Sequence, residues 1–70
     1  MEISARNKFK GTVTEVIEGP VSTEIKIDTG DCGHVISATI TTEAAKELDL
    51  KVGDEAWAVF KASSVIVATV

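Results

Sequence analysis

The sequence has one cysteine, Cys32, and one histidine, His34. A single thiol excludes an intrachain disulfide, and one thiol with one imidazole is too few ligands for a zinc site within one chain. The two stand together in a glycine-rich stretch and read as plain loop residues. They do not form a nucleophile and base facing each other across a cleft, and the acids are spread over turns and solvent faces, so no enzyme is expected. Aromatic residues are equally sparse: Phe9, Trp57 and Phe60, with no tyrosine. Phe9 and Phe60 are expected in the core, whereas Trp57 suits core, interface or a stacking platform. No run is long and apolar enough to span a membrane. Glu2 and the lack of an apolar leader lead us to expect no signal peptide, and with a lone free thiol the expected location is cytoplasmic.

Positive charge is scarce too. Seven basic residues against eleven acidic ones leave a formal net charge of −4. A general nucleic-acid binder needs a basic surface to release counterions, and one that grips single strands adds aromatic platforms. An acidic chain can still hold an anion, because backbone N–H groups in a concave nest bind anions without formal charge.

What is abundant is aliphatic. Hydrophobic residues make up 44% of the 70 positions, nearly all of them Val, Ile, Ala and Leu. Seventy residues make one domain, 1–70, which buries only roughly 60% of its unfolded surface. Domains of this size need a staple. With disulfide and metal excluded, oligomerisation is the staple that remains.

The pattern along the chain is one of strands. Residues 8–17 alternate, with Phe9, Gly11, Val13, Glu15 and Ile17 on one face. Gly11 inside this strand signals a bulge, a sharp bend or a close backbone approach. A long bent first strand is what a small barrel needs to serve two sheets. Glu18, Gly19 and Pro20 break the pattern. Residues 21–28 alternate cleanly, with Val21, Thr23, Ile25 and Ile27 on one face. Residues 29–33 form a loop, and 34–41 return as a strand with Ile36, Ala38 and Ile40 on its apolar face. Thr41, Thr42 and Glu43 open a helix of about two turns, a threonine N-cap followed by an acid in the first turn. Residues 51–54 turn, and 55–61 form a fourth strand with Trp57 and Val59 on one face and Ala56, Ala58 and Phe60 on the other. Residues 64–70 form a fifth strand, so apolar that both faces must be covered. The expected fold is all-β: a five-stranded OB-like Greek-key barrel with one short helix between strands three and four.

Two clusters carry hydrogen-bond donors. Ser4, Ala5, Arg6 and Asn7 bring a hydroxyl, the only arginine and an amide to the start of the first strand. Lys61, Ala62, Ser63 and Ser64 bring an ammonium, two hydroxyls and successive backbone N–H groups to the link between the last two strands. The first cluster alone reads as a polar strand entry with one surface ion pair. Together they would form a compact donor-rich cup, suited to a tetrahedral dianion, which needs many donors converging on a small volume.

Ser4-Ala5-Arg6-Asn7, Gly11, Ile36-Ser37-Ala38-Thr39-Ile40-Thr41, the Leu48, Leu50, Gly53-Asp54 spacing and Lys61-Ala62-Ser63-Ser64-Val65-Ile66-Val67-Ala68 recur in that order in one family. Over essentially its whole length the chain resembles the molbindins, single Mop domains related to TOBE domains. The resemblance implies a homohexamer, a trimer of dimers with strands exchanged between subunits. It implies intracellular binding and storage of molybdate, and of tungstate, in pockets between subunits. It carries Ser4, Arg6, Lys61 and Ala62 onto the oxyanion pocket, with Ala5 and Ser63 beside them, several acting through backbone N–H. It also implies a second, axial site near Gly19, Val21, Ser22 and Thr23, with no direct protein ligand to the metal. Two other functions stay open: a molybdate-responsive regulatory module, and a nucleic-acid-binding OB domain.

Overall fold

A computed structural model describes residues 2–30 and 34–70. Four strands and one helix follow in the order β1 (Asn7–Glu18), β2 (Ser22–Asp28), β3 (Val35–Thr41), α1 (Thr42–Glu47) and β4 (Glu55–Phe60). They build one antiparallel sheet in the order β3-β2-β1-β4. β1 serves as the hinge of this sheet. Its first half pairs with β4, from Asn7↔Phe60 to Thr12↔Glu55, and its second half with β2, from Thr12↔Asp28 to Glu18↔Thr23. One long strand that changes partner midway curls the sheet about itself.

Gly11 sits at that change of partner, and the reason for a glycine is close backbone approach. A Cβ there would lie 2.4 Å from the Asp28 carbonyl oxygen and 2.7 Å from Ile27 Cγ2. The bulge lies further on, where the β1–β2 register shifts between Val13 and Glu15. The extra residue, Thr14, rotates the remainder of β1 by one position. Glu15 and Ile17 therefore do not share the face of Val13; both are exposed, and Val16 packs on the core instead. The core proper is Val13, Ile25, Ile27 and Ala58, with Ile36, Ile40, Leu50 and Ala56 against it.

Two further expectations are corrected. Phe9 is not a core residue. It is 46% exposed and stacks on Phe60 at the open end of the sheet, with ring centroids 5.8 Å apart. The fifth strand is absent among the described residues. Ser64 ends a 3-10 turn, Ala62–Ser64, and residues 65–70 are exposed and take no rung in the sheet. A strand that apolar needs cover on both faces, and a single chain of this length has no second layer to supply it. The sheet is thus curled, with β3 and β4 as free edges in place of a closed barrel.

Between those edges lies an apolar trough of about 670 Å³, lined in part by Ile25, Ile36, Ile40, Leu50, Trp57 and Ala58. The helix begins where expected. Thr41 is its N-cap and its hydroxyl accepts from the Ala44 N–H at 3.1 Å. No helix is long and apolar enough to cross a membrane. In the β2–β3 link, Gly30 adopts φ +83°, and its N–H donates to Asp28 Oδ1 at 2.8 Å. The remainder of the expected loop, Asp31, Cys32 and Gly33, lies outside the described residues.

Candidate oxyanion site

The β1–β4 ladder decides where the two donor clusters go. Its last rung is Asn7↔Phe60. In an antiparallel pair the chain before Asn7 and the chain after Phe60 leave the sheet from the same end. Residues 4–6 and 61–63 of one chain therefore both leave the sheet at this end. Ser4, Arg6, Lys61, Ala62 and Ser63 are all exposed, and Ala5 is half-buried.

The second cluster is shaped by its 3-10 turn. Ser64 N–H donates to Lys61 O at 2.9 Å, and Val65 N–H to Ala62 O at 3.3 Å. The N–H groups of Ala62 and Ser63 precede the first of these bonds, so the turn does not use them. Lys61 stands at the N-cap position in extended backbone, with no side-chain capping bond. Among the described residues the ion pairs are Lys10–Glu55, Lys26–Glu24 and Lys51–Asp49. Arg6 and Lys61 take part in none of them. A guanidinium, an ammonium, two hydroxyls and open backbone N–H groups are thus concentrated at one sheet end, and donors of this kind serve a tetrahedral oxyanion.

The turn between β1 and β2 is built differently. Gly19 N–H donates to Ser22 O at 3.0 Å. Pro20, Val21 and Ser22 are exposed, whereas Thr23 is fully buried. The Thr23 hydroxyl is committed to Thr42 Oγ1, 2.8 Å away. Any part Thr23 has in this turn runs through its backbone or through Thr42. The involvement of Thr42 was not legible in the sequence, because nineteen residues of chain separate the two threonines. The lone histidine, His34, lines a smaller cleft of about 480 Å³ with Lys8, Phe9 and Lys10. No group of three or more His, Cys, Asp or Glu side chains suited to a metal ion occurs among the described residues.

Comparison with known proteins bears on the family and the fold. The TOBE domain profile matches residues 3–67. A probable molybdenum-pterin-binding protein of Haemophilus influenzae is 49% identical over 67 residues, which cover 96% of each chain. A molybdate-binding protein of Sporomusa ovata superposes with a TM-score of 0.91 at 38% identity, over 99% of this chain and 100% of that one. The cytoplasmic molybdate-binding protein ModG, in a crystal form with molybdate bound, superposes with a TM-score of 0.84 at 48% identity. That match covers 89% of this chain and 43% of the ModG chain. The sheet, the helix between β3 and β4, and nearly the whole length are shared, and the chain belongs to the TOBE domain family.

Proposed function

We propose that this chain binds molybdate, and tungstate by the same charge and shape, and holds it intact for intracellular storage and buffering. It carries out no chemical transformation. The observation that carries this reading is the β1–β4 register, which brings residues 4–6 and 61–63 off the same end of the sheet. Ser4, Arg6, Lys61, Ala62 and Ser63 are the donors, and Ala5 forms the wall between them. Rigid N–H groups select among tetrahedral dianions by size, so the smaller sulfate is a poor ligand.

The site lies between subunits. Support comes from two features that match each other. The trough between β3 and β4 is open and apolar. Residues 65–70 carry Ile66 at 92% and Val67 at 85% exposure, and Val65 leaves the 3-10 turn in extended backbone. A 65–70 segment from a second copy, inserted between β3 and β4, completes the fifth strand and covers both apolar surfaces. Because this segment follows residues 61–63 directly, the exchange carries the donor cluster to the subunit boundary. The assembly is a hexamer built as a trimer of dimers, with a second oxyanion site where copies of the β1–β2 turn meet at Gly19, Val21, Ser22 and Thr23.

Isothermal titration with molybdate, tungstate and sulfate, on protein of known native mass, tests the function. Saturable heat with the first two anions and little with sulfate is the expected result. No heat with molybdate, and none retained on equilibrium dialysis, overturns it.

A further inference from the structure

Thr42 is the first residue of α1, yet its hydrogen bonds go to the β1–β2 turn. Its backbone N–H donates to Val21 O at 2.8 Å, and its hydroxyl to Gly19 O at 2.6 Å. The carbonyl of Gly19 can only accept, so the single Thr42 proton is directed there. Thr42 Oγ1 therefore accepts from Thr23, whose proton orientation is fixed in turn. Thr42 is 7% exposed and Thr23 0%, so water does not compete for this chain.

The consequence for the turn is one of polarity. A carbonyl facing an oxyanion repels it, while an N–H attracts it. Thr42 draws two turn carbonyls, those of Gly19 and Val21, to its own side. No cis peptide bond occurs among the described residues, and across a trans peptide C=O and N–H point in opposite directions. With Val21 C=O held toward the helix, Ser22 N–H points away from it. The peptide that joins Gly19 to Pro20 has no N–H to offer.

We infer that Thr42 is a positioning residue for oxyanion binding at the β1–β2 turn: it turns the Gly19 and Val21 carbonyls toward α1, so that the Ser22 N–H points away from the helix. The inference rests on the molybdate-binding function proposed above, and specifically on its second site.

Molybdate binding is measured by titration and equilibrium dialysis on the assembled protein, for wild type, Arg6→Ala, Thr42→Val, Thr42→Ser and the core control Ile25→Val. Arg6→Ala weakens one class of sites. Thr42→Val weakens the other class by about tenfold or more and leaves the Arg6-dependent class unchanged. Thr42→Ser keeps the hydroxyl and restores the lost class. Ile25→Val lowers the melting temperature and keeps both classes. Equal binding by Thr42→Val and wild type overturns the inference, as does equal loss in Ile25→Val. A single class in wild type, abolished by Arg6→Ala, also overturns it while the molybdate-binding function stands. No binding by wild type fails the function itself. If Thr42→Val does not fold, amide hydrogen exchange of wild type decides: slower exchange at Ser22 with molybdate supports the inference, and unchanged exchange there overturns it.

Discussion

Asn7 faces Phe60 across the final rung of the β1–β4 ladder. One residue beyond each lies a cation, Arg6 before Asn7 and Lys61 after Phe60. Antiparallel pairing therefore sets the only arginine at the same sheet end as a lysine that is 55 positions away in the chain.

Arg6→Ala should weaken molybdate binding. A charge-assisted hydrogen bond contributes about 1.5–3 kcal/mol, so a loss of roughly tenfold or more in affinity is expected if the guanidinium makes one. Titration of Arg6→Ala and Ser4→Ala checks this. Wild-type affinity in both variants moves the site away from the N-terminal segment.

Gly11→Ala should destabilise the fold although it adds only a methyl group. The new Cβ meets the Asp28 backbone carbonyl, which cannot swing aside as a side chain could. Overpacking of this kind costs about 1–3 kcal/mol. Chemical denaturation at fixed protein concentration reads the change, and an unaltered midpoint would show that β1 and β2 can separate at no cost.

Val67→Asp places a charge on the exposed 65–70 segment. In an isolated chain such a surface change is nearly neutral. In an assembly joined through this segment it buries an unpaired carboxylate, so the assembly should dissociate. Native mass spectrometry is the direct check, against a chain mass of 7.4 kDa. Trp57 lines the trough and is 49% exposed, so its emission should shift to the red when the neighbouring segment leaves. A wild-type protein that is already monomeric at micromolar concentration removes the exchange from consideration.

Thr41→Ala removes the N-cap acceptor for Ala44 N–H. The expected loss is about 0.5–2 kcal/mol, seen as a lower melting temperature. Molybdate binding at the Arg6-dependent site should survive it, because Thr41 belongs to neither donor cluster and pairs instead with Ser22 in the β2–β3 ladder. Loss of binding without loss of stability would tie the helix start to the site more tightly than Thr42 alone does.

Much of the fold was legible in the alternation of residues. Thr23, Ile25 and Ile27 recur at period two and are buried. Thr41 followed by Glu43 and two alanines marked the helix start, because the cap and the dipole act within one turn of chain. The bulge at Thr14 was not legible. Val13, Val16 and Ile17 are all β-branched, and local propensity does not distinguish a face containing Val13 and Ile17 from one containing Val13 and Val16. Gly11 announced an exception but not its kind, since bulge, bend and close approach all favour a residue without Cβ. Phe9 was misplaced for a related reason: its face is the inner one, but it lies beyond the reach of β2, where the sheet has opened.

The donor clusters were readable as residue types, and their distance was not. Hydroxyl, guanidinium and ammonium chemistry belongs to the side chains and travels with the sequence. So do the apolar character of residues 65–70 and the scarcity of cysteine that leaves association as the staple. Proximity belongs to the ladder. Only the pairing of Asn7 with Phe60 brought residues 4–6 and 61–63 to one end of the sheet, and only the packing of α1 on the β1–β2 turn joined Thr42 to Gly19 and Thr23. Such relationships arise from backbone hydrogen bonds between segments far apart in the chain, which are the same for every residue type. The sequence by itself therefore determined what each segment could bind or bury, and the tertiary structure decided which segments meet.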